Sequence, residues 1–187
     1  VATEHDYSLN TIRDDIKKYL YIEMPIEKEV KMAISGISQG QRRVIFLCGS
    51  SGDGKSEILT ACKKLFSTRV KFHLDATHSF KPNEDAIQTL DKVFQEFEET
   101  AVPLVVGINT GMLGNYAEEG NNEFFKKCIQ AYLDEGIQSD VVHFINFEDY
   151  PKFKIDEVSY TAEFAERVLE RLTVKEENIV RQLYDKD

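Results

Sequence analysis

The chain has 187 residues, 42% hydrophobic and 30% charged, with a formal net charge of -10, enough apolar material for one domain with an ordinary core. So acidic a segment is poorly suited to coating DNA by itself, because nucleic-acid affinity rests largely on Lys and Arg neutralising phosphates. No apolar run approaches the roughly 20 residues that span a bilayer, and Val1 to Asn10 is polar, with no signal-peptide core. A cytoplasmic protein without a membrane partner is therefore expected.

In chain order, Ile12, Ile16 and Leu20 recur at helical spacing, and Pro25 opens a second helical pattern with Val30, Ala33, Ile34 and Ile37. We read residues 1–43 as a helical preamble. The run Val44-Ile45-Phe46-Leu47-Cys48 is continuous and apolar, as a strand buried on both sheet faces requires. It ends at a glycine-rich loop.

A helix from Lys55 to Phe66, a strand from Val70 to Asp75, a helix from about Glu84 to Glu99 and a strand from Leu104 to Ile108 follow. A helix from Asn122 to Leu133 and a strand from Val141 to Phe147 complete the alternation. Strands separated by helices imply parallel pairing, hence a mainly parallel α/β sheet covered by helices over residues 44–150. Pro151 closes that region, and in the C-terminal helical segment of residues 151–187 Tyr160 to Thr173 and Val174 to Tyr184 read as amphipathic helices, with Phe164, Val168, Leu169 and Leu172 on the apolar side. The chain begins at Val1 and stops in a charged helical pattern, so we expect a portion of a longer polypeptide with further domains.

Cys48, Cys62 and Cys128 lack C-x-x-C spacing and read as reduced core thiols.

Gly49-Ser50-Ser51-Gly52-Asp53-Gly54-Lys55-Ser56 satisfies G-x-x-x-x-G-K-[ST], with a strand before it and a helix after it. Glycines let consecutive N–H groups turn inward as an anion nest at the positive end of the following helix. All eight residues are assigned to the nucleotide, Lys55 to its β and γ phosphates, and the Ser56 hydroxyl to Mg²⁺, a hard ion that prefers oxygen ligands. The plainer alternative is a chance glycine turn. The glycine at the fourth position gives the AAA-like form of a P-loop NTPase, with Asp53 adding a negative charge beside the triphosphate.

Hydrolysis by such a fold also needs a carboxylate for Mg²⁺ and polar groups around the γ phosphate and the attacking water. Asp75 ends a strand where an open α/β sheet gathers ligands, and it is assigned to Mg²⁺ and catalysis; a solvated strand end or helix cap is the alternative. Many hydrolytic relatives carry Glu directly after that Asp, but here Ala76, Thr77 and His78 follow. His78 is one candidate for the missing base. Asn109 ends Leu104-Val105-Val106-Gly107-Ile108 and reads as a sensor of the γ phosphate. Its alternative is a turn-forming Asn before Thr110-Gly111. No N-K-x-D follows a later strand, which favours ATP over GTP. Arg167 and Arg171, by position alone, are candidates for a finger or second sensor.

Cys48 to Glu57, His73-Leu74-Asp75-Ala76-Thr77-His78-Ser79-Phe80, Gly107 to Tyr116 and Asn146-Phe147-Glu148-Asp149-Tyr150-Pro151 together resemble the DptF family of DNA phosphorothioation-dependent restriction proteins. The resemblance spans most of the chain and implies the N-terminal ATPase portion of a larger subunit. It further implies a bacterial defence complex with DptG-like and DptH-like subunits, directed at DNA lacking the sulfur mark and reaching that DNA through the complex. Gly49 to Ser56 carry over as its P-loop, and Asp75 and Asn109 as positions inside matching blocks.

The expectation is thus an ATP-binding, ATP-hydrolysing motor or switch that can form an oligomer. A small-molecule or nucleotide kinase and a nucleotide-binding scaffold without significant hydrolysis are the rival readings.

Overall fold

The computed structural model describes residues 7–76, 85–151, 154–155, 160–173 and 178–184. The chain divides into two compact units, one of residues 25–150 and one joining residues 1–24 to 151–187.

The larger unit is an α/β layer structure. It contains α2 (Pro25–Ser35), β1 (Val44–Gly49), α3 (Lys55–Phe66), β2 (Lys71–His73), α4 (Ala86–Thr100) and β3 (Leu104–Asn109), then α5 (Thr110–Glu119), α6 (Glu123–Glu135) and β4 (Val142–Asn146); the remaining helix of the N-terminal region, α1 (Tyr7–Leu20), belongs to the other unit. The sheet order is β2-β3-β1-β4, and every neighbouring pair is parallel. All C-terminal strand ends therefore meet at one edge.

The apolar run of β1 is buried at every position because helices cover both faces. Val44, Phe46 and Cys48 join a core with Leu90, Phe94 and Phe97 of α4, Leu113 and Tyr116 of α5, and Phe125 and Ile129 of α6. Period-2 geometry sends Ile45 and Leu47 to the opposite face, where Ile26, Val30 and Ile34 of α2 and Ile58, Leu59 and Cys62 of α3 are buried. Aromatic rings order the first face. Phe46 stacks on Phe144 at 5.0 Å and Phe144 on Tyr132 at 4.0 Å, while Phe94 stacks on Phe125 at 4.0 Å. Burial pushes the Cys48 thiol up to about 12 and that of Cys62 up to about 11, the latter with help from the Glu27 carboxylate. Both thiols, as expected, are free and buried, while Cys128 is partly exposed.

Three departures from the sequence reading have physical causes. Pro25 rather than Val44 opens the sheet unit, because the apolar side of α2 is fully buried against the sheet. An unexpected helix, α5, follows β3 directly. Gly111 and Gly114 resemble breakers in the sequence, but burial of Leu113 and Tyr116 outweighs their low helical propensity. Finally, β2 is short, although the Ala76 N–H still donates to the Gly107 carbonyl at 2.9 Å and extends its pairing beyond His73.

The smaller unit contains α1, a two-stranded antiparallel pair of β5 (Lys154–Ile155) and β6 (Tyr160–Thr161), α7 (Glu163–Thr173) and α8 (Ile179–Tyr184). Residues 160–161 thus form a strand where a helix was expected. On α7, Leu169 is 59% and Leu172 43% exposed, so the expected apolar face is only partly covered. Among the described residues no helix is long and apolar enough to cross a membrane.

Asp91 ties α4 to the α5–α6 connection. It accepts from the Tyr116 hydroxyl at 2.6 Å, the Asn121 N–H at 3.0 Å and the Asn121 Nδ2 at 2.6 Å. Burial opposes its ionisation, but these bonds outweigh burial and hold the carboxyl below its ordinary value of 3.8. The stabilisation is present above that value and lost as pH falls through the lowered folded-state one. Tyr116→Phe is expected to cost about 1–2 kcal/mol at neutral pH. In urea titrations the difference from wild type should shrink only below pH 3.8.

Candidate functional site

The loop between β1 and α3 owes its shape to glycine. Gly52 and Gly54 have φ of 87° and 103°, a region where a side chain meets backbone strain. Gly54 is the N-cap of α3 and contributes no side chain. The first-turn amides of Lys55, Ser56 and Glu57 have no intrahelical acceptors, and they carry the positive end of the helix dipole.

A cavity of about 470 Å³ lies beside this loop, lined by Ser51, Gly54, Lys55 and Ser56 together with Asp75 and Asn109. Three segments far apart in sequence thus contribute to one space. Register explains part of this convergence, because Gly49 is the β-partner of Asn109. The Ala76 bond to Gly107 brings the end of the β2 segment alongside β3. Gly107 permits the approach: a Cβ there would stand 2.5 Å from the Leu74 carbonyl oxygen and 2.7 Å from Leu59 Cδ1.

The assigned residues do not all face the cavity. Ser51, Gly52, Gly54, Lys55 and Ser56 line it, whereas Gly49, Ser50 and Asp53 do not. The Ser50 N–H instead donates to Asp53 Oδ2 at 2.6 Å. Lys55 Nζ lies 2.6 Å from the Ser50 carbonyl oxygen and 3.0 Å from that of Gly49, so it rests on the loop's own backbone.

Asn109 combines the two readings that its sequence position left open. Its Oδ1 accepts from the Met112 N–H at 2.6 Å and caps α5, while the residue also lines the cavity. Capping engages one lone pair of Oδ1 and fixes the amide, whose Nδ2 is the donor suited to a ligand oxygen. Asn146 does similar work at the end of β4, accepting from the Glu148 N–H at 3.2 Å.

Asp75 is half-buried, and its negative charge partly offsets the burial that lowers the pKa of His73. Ala76 is fully buried, so the position after Asp75 points into the core. His78 lies outside the described residues. Arg171 donates to the Tyr19 carbonyl at 2.8 Å and sits 5.3 Å over the Tyr19 ring, so its guanidinium is engaged in the smaller unit. One cavity-lining carboxylate received no role in the sequence reading: Glu57, directly after Lys55-Ser56. Its place in the first turn of the helix was the available signal.

Among the described residues no group of three or more His, Cys, Asp or Glu could hold a metal ion. The cavity instead offers separate hard oxygens from Ser56 and Asp75. Compared with protein-family models, curated proteins and solved structures, the chain matches none.

Gly107→Ala should displace the Leu74–Asp75 segment and destabilise the protein by about 1–3 kcal/mol through overpacking. Urea unfolding measures that loss. Unchanged stability would mean that β2 and β3 separate without cost at this point.

Proposed function

We propose that the chain is a P-loop NTPase of AAA-like type that binds ATP with Mg²⁺ in the cavity beside the glycine-rich loop. The observation that carries this reading is the convergence of Lys55, Ser56, Asp75 and Asn109 on one cavity at the C-terminal edge of a parallel sheet. Open α/β sheets gather ligands at that edge.

Each residue has a fitting role. The free amides of the first α3 turn and the dipole behind them suit phosphate oxygens. Lys55 exchanges its backbone acceptors for the β and γ phosphates, gaining stronger charge-assisted bonds. Ser56 and Asp75 supply the few protein oxygens that Mg²⁺ takes when phosphates and water complete its shell. Bound there, the ion neutralises charge building on the phosphates. Asn109, fixed by its cap, directs Nδ2 toward the γ phosphate or the attacking water. Adenine is preferred because the chain lacks the N-K-x-D arrangement for guanine.

Burial of Ala76 supports a switch more than a fast motor. A water-polarising carboxylate cannot act from that position, which leaves Glu57 as a cavity-lining alternative. We assign the chain to the ATP-dependent subunit of a DNA phosphorothioation-dependent restriction complex, acting with DptG-like and DptH-like partners in the cytoplasm and meeting DNA through them. The four sequence blocks that resemble the DptF family support this assignment, as does the net charge of -10. An acidic chain suits a nucleotide-driven subunit better than a DNA reader.

Titration of Mg-ATP, Mg-GTP and Mg-ADP by calorimetry tests the core of the proposal. Wild type should prefer ATP, and Lys55→Ala should bind it about 10- to 100-fold more weakly, as expected for loss of hydrogen bonds to a charged group. Equal affinity in the two proteins would overturn the assignment. Asp75→Asn should retain ATP binding but lose most of its Mg²⁺ dependence, read from the same titration with and without EDTA.

A further inference from the structure

The start of the loop is held from two sides. In the Gly49–Ser50 peptide unit, the carbonyl of Gly49 accepts from Lys55 Nζ at 3.0 Å and the N–H of Ser50 donates to Asp53 Oδ2 at 2.6 Å. The next carbonyl, that of Ser50, accepts from the same Lys55 nitrogen at 2.6 Å. An anion and a cation thus grip one peptide group by its opposite ends.

The surroundings are built for this grip. A Cβ on Gly49 would stand 2.7 Å from Asp53 Oδ2 and 2.9 Å from Phe147 Cδ2, so only glycine admits the carboxylate here. Asp53 does not line the cavity, whereas Lys55 does. The two halves of the grip therefore differ in what a ligand can do to them: an arriving phosphate can draw Lys55 away but leaves Asp53 in place.

We propose that Asp53 is the positioning residue of this site, the fixed half of a clamp whose other half, Lys55, is released to the ligand. This inference rests on the nucleotide-binding reading given above. Asp53 keeps the Gly49–Ser50 peptide oriented after Lys55 departs, so the loop retains its ligand-free shape on binding. Its cost is electrostatic. A carboxylate built into the loop repels an uncomplexed triphosphate more than one neutralised by Mg²⁺, and so biases the site toward the magnesium complex.

The test uses wild type, Asp53→Asn and Asp53→Ala in the full chain, each checked for folding by circular dichroism. Hydrogen exchange of the Ser50 amide, followed by NMR, reads the clamp without any nucleotide. Asp53→Ala should accelerate that exchange by at least about tenfold, whereas Asp53→Asn, whose amide oxygen still accepts, should retain most of the protection. Mg-ATP affinity should fall about tenfold in Asp53→Ala, equivalent to about 1.4 kcal/mol, and recover to within about threefold in Asp53→Asn. With EDTA present, Asp53→Asn should bind ATP about three- to tenfold more tightly than wild type, because one nearby negative charge is gone.

Unchanged Ser50 exchange in Asp53→Ala would overturn the clamp. Mg-ATP affinity equal to wild type in that variant would overturn the positioning role, and EDTA affinity unchanged in Asp53→Asn would overturn the electrostatic bias. If wild type bound no Mg-ATP, the nucleotide reading and the positioning role built on it would fall together, while Ser50 exchange would still decide whether the clamp exists.

Discussion

Parallel pairing between β1 and β3, in the register that sets Gly49 beside Asn109, is the constraint on which the site depends. A parallel sheet brings every strand to its end at one edge, and helices on both faces bury the strands that do so. Without that register, a glycine loop, an aspartate and an asparagine separated along the chain would have no reason to share a cavity. Gly107 is the tightest point of the arrangement. Its missing side chain lets the Leu74 carbonyl and the Leu59 side chain close against β3, linking the packing of α3 to the position of Asp75.

Charge placement at this edge follows a consistent pattern. Asn109 and Asn146 both end buried strands, and each spends a side-chain oxygen on the turn that follows. Asp53 spends its carboxylate on the Ser50 N–H. These acceptors are committed to the backbone and Lys55 rests on the loop's own carbonyls, while the α3 amides and the Asn109 amide nitrogen remain as donors and Ser56, Glu57 and Asp75 bring oxygens to the cavity wall. These groups meet within a chain whose formal net charge is -10.

Burial separates residues that the sequence leaves equivalent. Asp75 is half-buried and lines the cavity, whereas Ala76 is wholly buried. Arg171, a cation that could serve a phosphate, is instead occupied by the carbonyl and ring of Tyr19. Asp91 has no recognisable motif, yet it accepts bonds from Tyr116 and Asn121 and so joins α4 to α5 and to the α5–α6 connection. Such a residue is invisible in a linear reading because its partners lie 25 and 30 positions away.

The sequence by itself determined the α/β alternation, the buried strand Val44 to Cys48, the glycine loop and the strand end at Asn109, whereas β2 stops at His73, before Asp75. These depend on local periodicity and on residue types with narrow backbone preferences, which act over a few positions. Only the tertiary structure decided that α2 belongs to the sheet unit, that Thr110–Glu119 is a helix despite two glycines, and that Ser50 and Asp53 turn toward each other rather than into the cavity. Each of those outcomes depends on what a residue packs against or bonds to across the fold, and the energy of such contacts is absent from the local pattern.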